Sequence, residues 1–158
     1  MTLYLGVDPG LSGALAFLDT EKGHLHVLDM PVMEVSRNGK TKREVSPSLL
    51  ANILNAVEAT DVVAAVERVG AMPGQGVTSV FSFGRSLGII EGALAVCQIP
   101  VTMVQPQVWQ KAAGVRGGKD GSRQRACELF PNYANLFARK KDDGRADAAL
   151  MAWYAATR

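Results

Sequence analysis

The chain has 158 residues and a mass of 16.8 kDa, with 47% hydrophobic and 20% charged residues, which fits one globular domain (residues 1–158) and excludes a disordered or fibrous protein. No apolar run approaches the ~20 residues that cross a bilayer, and no basic leader opens the chain, which predicts a cytoplasmic location without a membrane segment. The net charge of +2 is unevenly distributed, because residues 105–145 hold nine Lys/Arg and four Asp/Glu. This basic third suggests a polyanionic partner, although a solvated surface fits the charge equally well.

The N-terminal part is predicted to form a three-stranded antiparallel meander. Two short apolar runs, 3–7 and 14–18, flank the turn sequence Asp8 to Gly13, and residues 24–28 alternate between polar and apolar side chains. The polar and basic stretch from Ser36 to Val45 follows, with a turn-like sequence at its centre. We expect this stretch to be a mobile loop.

Helices and strands alternate in the rest of the chain. Ser46 followed by Pro47 is typical of a helix start, and apolar residues at helical spacing continue that helix to about Ala59. Residues 62–66 are apolar without alternation, which indicates a central strand covered on both faces, and this strand ends at Glu67.

The C-terminal half is predicted to add one more strand and several helices. In order, these are a Gly/Pro-rich loop at 70–76, a long helix at 78–97, a strand at 101–104, a short helix opened by Pro106, a break at 114–118, and helices at about 119–129 and 144–157. Strands separated by helices require parallel crossovers. The predicted fold is therefore α/β, with a mixed five-stranded sheet flanked by helices in three layers.

Acidic residues are predicted to converge at one edge of this sheet. Asp8 and Glu67 each end a strand, and α/β sheets bind ligands at the edge where parallel strands end. Asp147 lies near the start of the last helix, with Asp143 four residues earlier on the same face. Converging carboxylates require a cation, and oxygen ligands suit Mg²⁺ or Mn²⁺, a pair of which can activate water for attack on a phosphodiester. Turn, cap and dipole roles explain each Asp alone, but a Glu that ends an apolar strand has no such role.

Three segments around these acids resemble the motifs of RuvC-type Holliday-junction resolvases, including phage and prophage members. The resemblance implies a ribonuclease-H-like fold and a homodimeric, Mg²⁺-dependent endonuclease that nicks two strands of a four-way DNA junction. It also implies that Asp8, Glu67 and Asp147 are the catalytic acids. The matching segments lie in family order and spacing between Leu3 and Ala155, and they are Val7–Ala16, Val66–Val69 and Arg145–Leu150.

The chain departs from the family pattern at the fourth acidic position. Family members often carry an acid or histidine three residues before the last Asp, where this chain has Gly144. Asp143 is the nearest acid and Asp142 the reserve, since the positions three and four residues before Asp147 lie on one helical face. We expect Asp143 to be the fourth catalytic and metal-binding acid.

A second departure concerns the aromatic residue that wedges into the junction in some family members. Here Gly70, Ala71 and Met72 follow the strand glutamate motif. Met72 is a candidate DNA-contacting substitute, as are Phe81 and Phe83, although a Met or Phe at a helix start usually belongs to the core.

Basic residues and a glycine stripe carry the remaining functional expectations. Lys111 and Lys119 fall where the resembling family keeps lysines near the scissile phosphate, so Lys119 is also a catalytic candidate. Gly84, Gly88 and Gly92 recur along the long helix and permit a close helix approach, either to the sheet or to a twin helix in a dimer. The flanking residues Arg116, Arg123 and Arg125 are predicted to bind DNA phosphates as well.

Three other functions are compatible with parts of the sequence. The Asp8–Gly13 segment also resembles the phosphate loop of sugar kinases and actin-like ATPases, but those proteins need two such domains to enclose a nucleotide. A junction-binding protein without catalysis would place repelling acids near DNA phosphates. A ribonuclease H that cuts RNA–DNA hybrids uses the same kind of site, and the residues alone do not separate it from a resolvase.

Overall fold

The computed structural model describes residues 1–158 and contains a five-stranded mixed sheet. The seven strands of the chain are β1 (Thr2–Asp8), β2 (Ala14–Asp19), β3 (His24–Asp29), β4 (Val32–Arg37), β5 (Lys40–Val45), β6 (Asp61–Glu67) and β7 (Val101–Val104). The main sheet has the order β3-β2-β1-β6-β7, and β4 pairs only with β5. The β1-β2 and β2-β3 pairs are antiparallel, whereas β1-β6 and β6-β7 are parallel. The predicted mixed sheet is confirmed.

Five α-helices cover the sheet. They are α1 (Pro47–Asn55), α2 (Val77–Val96), α3 (Pro106–Ala113), α4 (Gly121–Leu129) and α5 (Asp143–Ala156), and two 3₁₀ helices at Pro131–Phe137 and Lys140–Asp142 precede α5. α1 begins as predicted, because the Ser46 hydroxyl accepts a hydrogen bond of 3.3 Å from the backbone N–H of Leu49. It ends at Asn55, four residues before the predicted end.

The core consists of one apolar layer on each face of the sheet. α1 and α2 bury Leu50, Leu54, Ile90 and Leu94 on one face. On the other face, α5 lies along β1 and packs there with α3 and α4. The contact between α5 and β1 is close enough to require Gly6, because a Cβ at that residue would lie 1.9 Å from the carbonyl oxygen of Ala148. This contact fixes the start of α5 beside the end of β1.

The predicted loop from Ser36 to Val45 is wrong, because these residues belong to the β4–β5 hairpin. A two-residue turn requires positive φ at both central positions, and Asn38 (φ 51°) and Gly39 (φ 70°) supply it. The strands extend on both sides of this turn, and Ser36 and Thr41 join them through a side-chain hydrogen bond of 3.2 Å. The polar composition obscured this ordered element.

The expectation that no segment has the length and composition of a membrane span is wrong, because α2 has both. Its 20 residues reach a mean hydropathy of 1.3, which is apolar enough by composition alone. The helix nevertheless packs on the sheet through Ile90 and Leu94, and its Arg85 forms an ion pair of 3.4 Å with Glu44 of β5. α2 is therefore part of the folded α/β domain, with much of its apolar surface exposed.

Candidate active site

Three acidic side chains meet at the edge where β1 and β6 end. Val7 is the register partner of Val66 in the parallel pair, so Asp8 and Glu67 follow at the same level. Asp147 reaches this edge from the second turn of α5, because the first turn of that helix packs against the β1–β2 turn. The charges of Asp8 and Glu67 both raise the pKa of Asp147. The structure thus brings together the three acids that the sequence singled out.

Burial raises the pKa of all three carboxyl groups. The effect is largest for Asp147, whose pKa rises to about 7, mainly through loss of solvent and then through the neighbouring acids, while Ser122 partly opposes the rise. Burial also raises the pKa of Asp8 and Glu67, opposed by the backbone N–H of Gly10 and the indole N–H of Trp109 respectively. Taking a carboxylate out of water penalises its charged form, so a site of this kind favours protons or cations.

These acids fit a cation by charge and burial. No Lys or Arg forms an ion pair with Asp8, Glu67 or Asp147. One carboxylate oxygen of Asp147, Oδ1, is buried without any hydrogen-bond partner, which is costly unless a cation or a proton lies beside it. The side chains do not form a preformed cage, because no three His, Cys, Asp or Glu residues are grouped closely enough to hold one metal ion.

The two candidates for the fourth acid have different environments. Asp142 is buried, and its carboxylate accepts hydrogen bonds from the backbone N–H (2.8 Å) and the guanidinium (2.8 Å) of Arg139. The Arg139 side chain accordingly holds the pKa of Asp142 below its usual value. Asp143 is exposed, lines the same cleft as Asp147 and pairs with Arg123 at 3.0 Å. Asp143 is therefore the acid with free access to the site, and Asp142 serves to anchor the start of α5.

Gly144 occupies a position where no side chain fits. A Cβ there would lie 2.5 Å from the carbonyl oxygen of Ser12, 2.8 Å from Cα of Gly13 and 3.0 Å from Oδ2 of Asp8. The close packing of α5 on the β1–β2 turn explains why this chain lacks an acid or histidine at that position. The same packing sets the distance between the strand acids and the helix acids.

We expect Gly144→Ala to destabilise the protein by about 1–3 kcal/mol, because the added methyl group displaces the backbone of the β1–β2 turn. Urea unfolding followed by circular dichroism measures the change. Gly70→Ala is the matched control, since a Cβ at Gly70 meets no atom within 4 Å. A Gly144→Ala protein as stable as this control would contradict the close packing.

Trp109 is a site residue that the sequence analysis missed. Its side chain is fully buried in α3, and its indole N–H donates a hydrogen bond of 2.8 Å to Oε2 of Glu67. This bond fixes one oxygen of the carboxylate and leaves the other free to bind a ligand. The sequence offered a weak signal, because a buried tryptophan requires a partner for its N–H, but the partner, 42 positions away, follows only from the fold.

A polar cleft with two cations and two acids in its lining lies at this site. It has a volume of about 340 Å³ and is lined by one apolar residue and eight polar or glycine residues, among them Arg116, Lys119, Ser122, Asp143 and Asp147. Neither Arg116 nor Lys119 forms an ion pair within the chain, and neither does Lys111 on α3. Two cations without ion-pair partners thus lie next to the carboxylates of the site. Such cations are suited to bind an anionic ligand beside a metal ion.

Two of the predicted DNA-binding arginines are engaged within the chain. Arg123 pairs with Asp120 and Asp143 and also donates to the carbonyl oxygen of Ala138 at 3.2 Å. Arg125 pairs with Glu128 at 2.7 Å and donates to the carbonyl oxygen of Ala113 at 2.6 Å. Both guanidinium groups therefore stabilise the packing of α4 against its neighbours.

Two of the three candidate wedge residues lie on the surface. Met72 is 68% exposed in the loop after β6, and Phe81 is 74% exposed in the first part of α2. Phe83 is half-buried. The expectation that such residues usually pack in the core does not hold for Met72 and Phe81.

Comparison with known proteins gives sequence and structural relatives. No protein-family model matches the chain. The chloroplastic Holliday junction resolvase MOC1 of Chlamydomonas reinhardtii is 31% identical over an alignment 162 positions long, which covers 87% of this chain and 18% of that protein. The chain thus spans less than a fifth of the length of the curated relative that it matches.

Two solved structures share the fold across the whole chain. RuvC of T. thermophilus in complex with a Holliday junction substrate has a TM-score of 0.64 at 14% identity and covers 99% of this chain and 96% of that one. A second structure, of Thermus thermophilus RuvC, has a TM-score of 0.57 at 17% identity, covering 98% and 96%. The chain is therefore similar in sequence to a Holliday junction resolvase, and it has the fold of RuvC, as the resemblance implied.

Proposed function

We propose that the chain is a metal-dependent endonuclease that resolves four-way DNA junctions by paired phosphodiester hydrolysis. The observation that carries the proposal is the set of three half-buried carboxylates without ion-pair partners, from the ends of β1 and β6 and from α5, beside a cleft with free cations. The relatives support the substrate, since one is named a Holliday junction resolvase and another was solved with a Holliday junction bound.

Asp8, Glu67 and Asp147 would hold Mg²⁺, with Mn²⁺ as a substitute, and Asp143 is the proposed fourth ligand. A divalent cation bound there would supply Lewis acidity, for the attacking water and for the leaving oxygen of the phosphodiester. The protein's own contribution is to position the carboxylates by the β1–β6 register and by α5. Lys119, in the same cleft, would contact the scissile phosphate and stabilise negative charge on it.

Phosphate binding beside the site is assigned to the unpaired cations Lys111, Arg116 and Lys119. Their ammonium and guanidinium groups can bind DNA without first breaking an ion pair within the chain. Arg123 and Arg125, in contrast, would have to break theirs. Such contacts release counterions, so binding should weaken steeply with salt. Met72, exposed after β6, is the proposed wedge against the unstacked bases of the junction.

We also propose a homodimer in which α2 faces its copy, because a junction has two strands to cut. Val77, Phe81 and Val96 are 86%, 74% and 85% exposed along α2. Gly84 and Gly88 lie between them, and a Cβ at either meets no atom within 4 Å. Packing within the chain therefore does not require these glycines, whereas a twin helix would use them for close approach.

We expect Gly88→Leu to convert the dimer into a folded monomer, because the leucine holds the two helices apart. Sedimentation velocity measures the mass, and circular dichroism checks the fold. Ser82→Leu, an exposed small residue on a neighbouring face of α2, is the control and should remain dimeric. A wild-type monomer, or a dimer in the Gly88→Leu protein, would contradict this interface.

We expect Trp109→Phe to raise the Mg²⁺ concentration for half-maximal nicking about tenfold. Phenylalanine keeps most of the buried volume but removes the hydrogen bond to Glu67, which frees the carboxylate to rotate. A Mg²⁺ titration of the nicking rate measures this effect. Trp153→Phe is the control, since the structure places no hydrogen bond from that indole on an acid of the site. If Trp109→Phe needed the same Mg²⁺ concentration as wild type for half-maximal nicking, Trp109 would not position Glu67.

Matched end-labelled substrates test the proposed function. The panel contains a four-way junction, a linear duplex and an RNA–DNA hybrid of the same sequence. Nicks confined to the junction are expected. Cutting of the hybrid alone would replace the substrate with that of a ribonuclease H, and tight binding without cutting would favour a non-catalytic junction-binding protein.

A further inference from the structure

The β4–β5 hairpin carries four cations without intrachain partners. Arg37, Lys40, Lys42 and Arg43 are exposed, and none has a carboxylate oxygen within 4.0 Å. The cross-strand register places Arg37 directly opposite Lys40 on the two sides of the turn. Like charges in opposite positions destabilise a hairpin. An anion bound at the tip would remove this repulsion.

Three of these cations share one face of the hairpin. Side chains alternate along a strand, so Arg37 and Val35 point to the same side, and their register partners Lys40 and Lys42 do likewise. Glu44 completes that face near the base, where Arg85 of α2 already neutralises it. The outer half of the face therefore carries three cations beside Val35 and no acid.

The hairpin leaves the domain at the edge that carries the acids. β3 ends at Asp29, the register partner of Ala14, which in turn pairs with Asp8. The backbone N–H of Met30, just before the hairpin, donates to the carbonyl oxygen of Gly13 at 2.9 Å. The six residues of β4 then extend the tip roughly 20 Å from this edge.

The base of the hairpin is firmly attached. The backbone N–H of Ser46 donates to the carbonyl oxygen of Pro31 at 2.9 Å, which closes the two ends. Val45 is fully buried in the core layer of α1 and α2, and the ion pair between Arg85 and Glu44 joins the hairpin to α2. The cations are thus held in a fixed direction rather than on a freely moving loop.

We infer that the β4–β5 hairpin is a second DNA-binding element that contacts the phosphate backbone of a duplex arm beside the cleavage site. The inference rests on the proposed function and extends it to a surface separate from the polar cleft that holds Arg116 and Lys119. The ligand is duplex DNA because its phosphates form an extended row of negative charge, which matches a projecting row of cations. The contact is to the backbone and adds affinity without sequence choice.

The test compares two double variants in the Asp8→Asn background, so that binding is measured without cutting. Arg37→Gln/Lys40→Gln removes the turn cations, and Arg158→Gln/Lys22→Gln removes the same charges at the opposite end of the sheet. Affinity for a four-way junction with 20-base-pair arms is measured across a salt series. We expect the hairpin variant to bind about tenfold more weakly near physiological salt, with a salt slope smaller by roughly 2. The control variant should keep the slope of its parent.

Two results would overturn the inference while leaving the proposed function intact. One is a hairpin variant with the same slope and affinity as its parent, and the other is an equal loss in both double variants, which would indicate net charge alone. Failure of the otherwise unmodified chain to bind or nick the junction would instead overturn the proposed function and this inference together. Circular dichroism of each variant confirms that the exposed substitutions leave the fold unchanged.

Discussion

Replacement of Asp8 by asparagine is expected to reduce junction nicking by at least about 10³-fold while junction binding remains within a few-fold of the wild type. Asp8 lies at the end of β1, where its charge acts on both Glu67 and Asp147. Asparagine has nearly the same volume and an amide oxygen that can still accept the hydrogen bond from the backbone N–H of Gly10, so it preserves the β1–β2 turn. It removes the negative charge that a metal ion requires. Single-turnover nicking and a gel-shift titration measure the two quantities.

Asp61→Asn is the matched control for Asp8→Asn. Asp61 is exposed at the opposite end of β6, at the start of that strand rather than beside the site. It should nick and bind as the wild type does. If Asp8→Asn nicked at the control rate, Asp8 would not be a catalytic residue, and the proposed metal centre would be wrong.

Asp147→Asn is expected to abolish nicking and to stabilise the protein above pH 7 in the absence of metal. The pKa of Asp147 is about 7 in the folded chain against 3.8 for an unperturbed aspartate. The folded state therefore binds the extra proton, and stability is lost as pH rises from about 4 through about 7. Ionisation of this group in the folded chain costs on the order of 4 kcal/mol at pH 8. Asparagine carries no charge and avoids this cost.

Urea unfolding of both proteins at pH 5 and pH 8 measures the difference in EDTA. The gain of Asp147→Asn over wild type should be small at pH 5 and large at pH 8. Subtraction isolates Asp147 from acids such as Asp142, whose lowered pKa changes stability in the opposite direction. Mg²⁺ should stabilise wild type more than the variant, because it binds the folded carboxylates. A variant less stable than wild type at pH 8 would contradict the uncompensated charge.

The order of the five main-sheet strands and the α-helices was predictable because each of them has a local signal. The apolar strand before Glu67 and the cap at Ser46 both correspond to observed boundaries. The β4–β5 hairpin was not, since its polar strands lack the apolar alternation that marks a half-buried sheet. Only the Asn38-Gly39 turn signalled it, and a turn sequence alone does not distinguish a hairpin from a loop.

The sequence was sufficient to predict which acids form the candidate site, but not which residues contact them. Asp8 and Glu67 end strands, so topology alone brings them to one edge. The different environments of Asp142 and Asp143 depend on the path of the chain through two 3₁₀ helices, which have no periodic pattern in the sequence. The link from Trp109 to Glu67 and the ion pairs of Arg123 likewise depend on distances that only the folded chain determines.

We propose above all that the three half-buried carboxylates act on DNA through a divalent cation. The most direct test is the nicking rate of a four-way junction by the wild-type chain in EDTA, followed by addition of excess Mg²⁺ or Mn²⁺ to the same sample. We predict no nicking in EDTA and full recovery with either ion. Nicking in EDTA at the rate seen with Mg²⁺ would contradict a role of the metal ion.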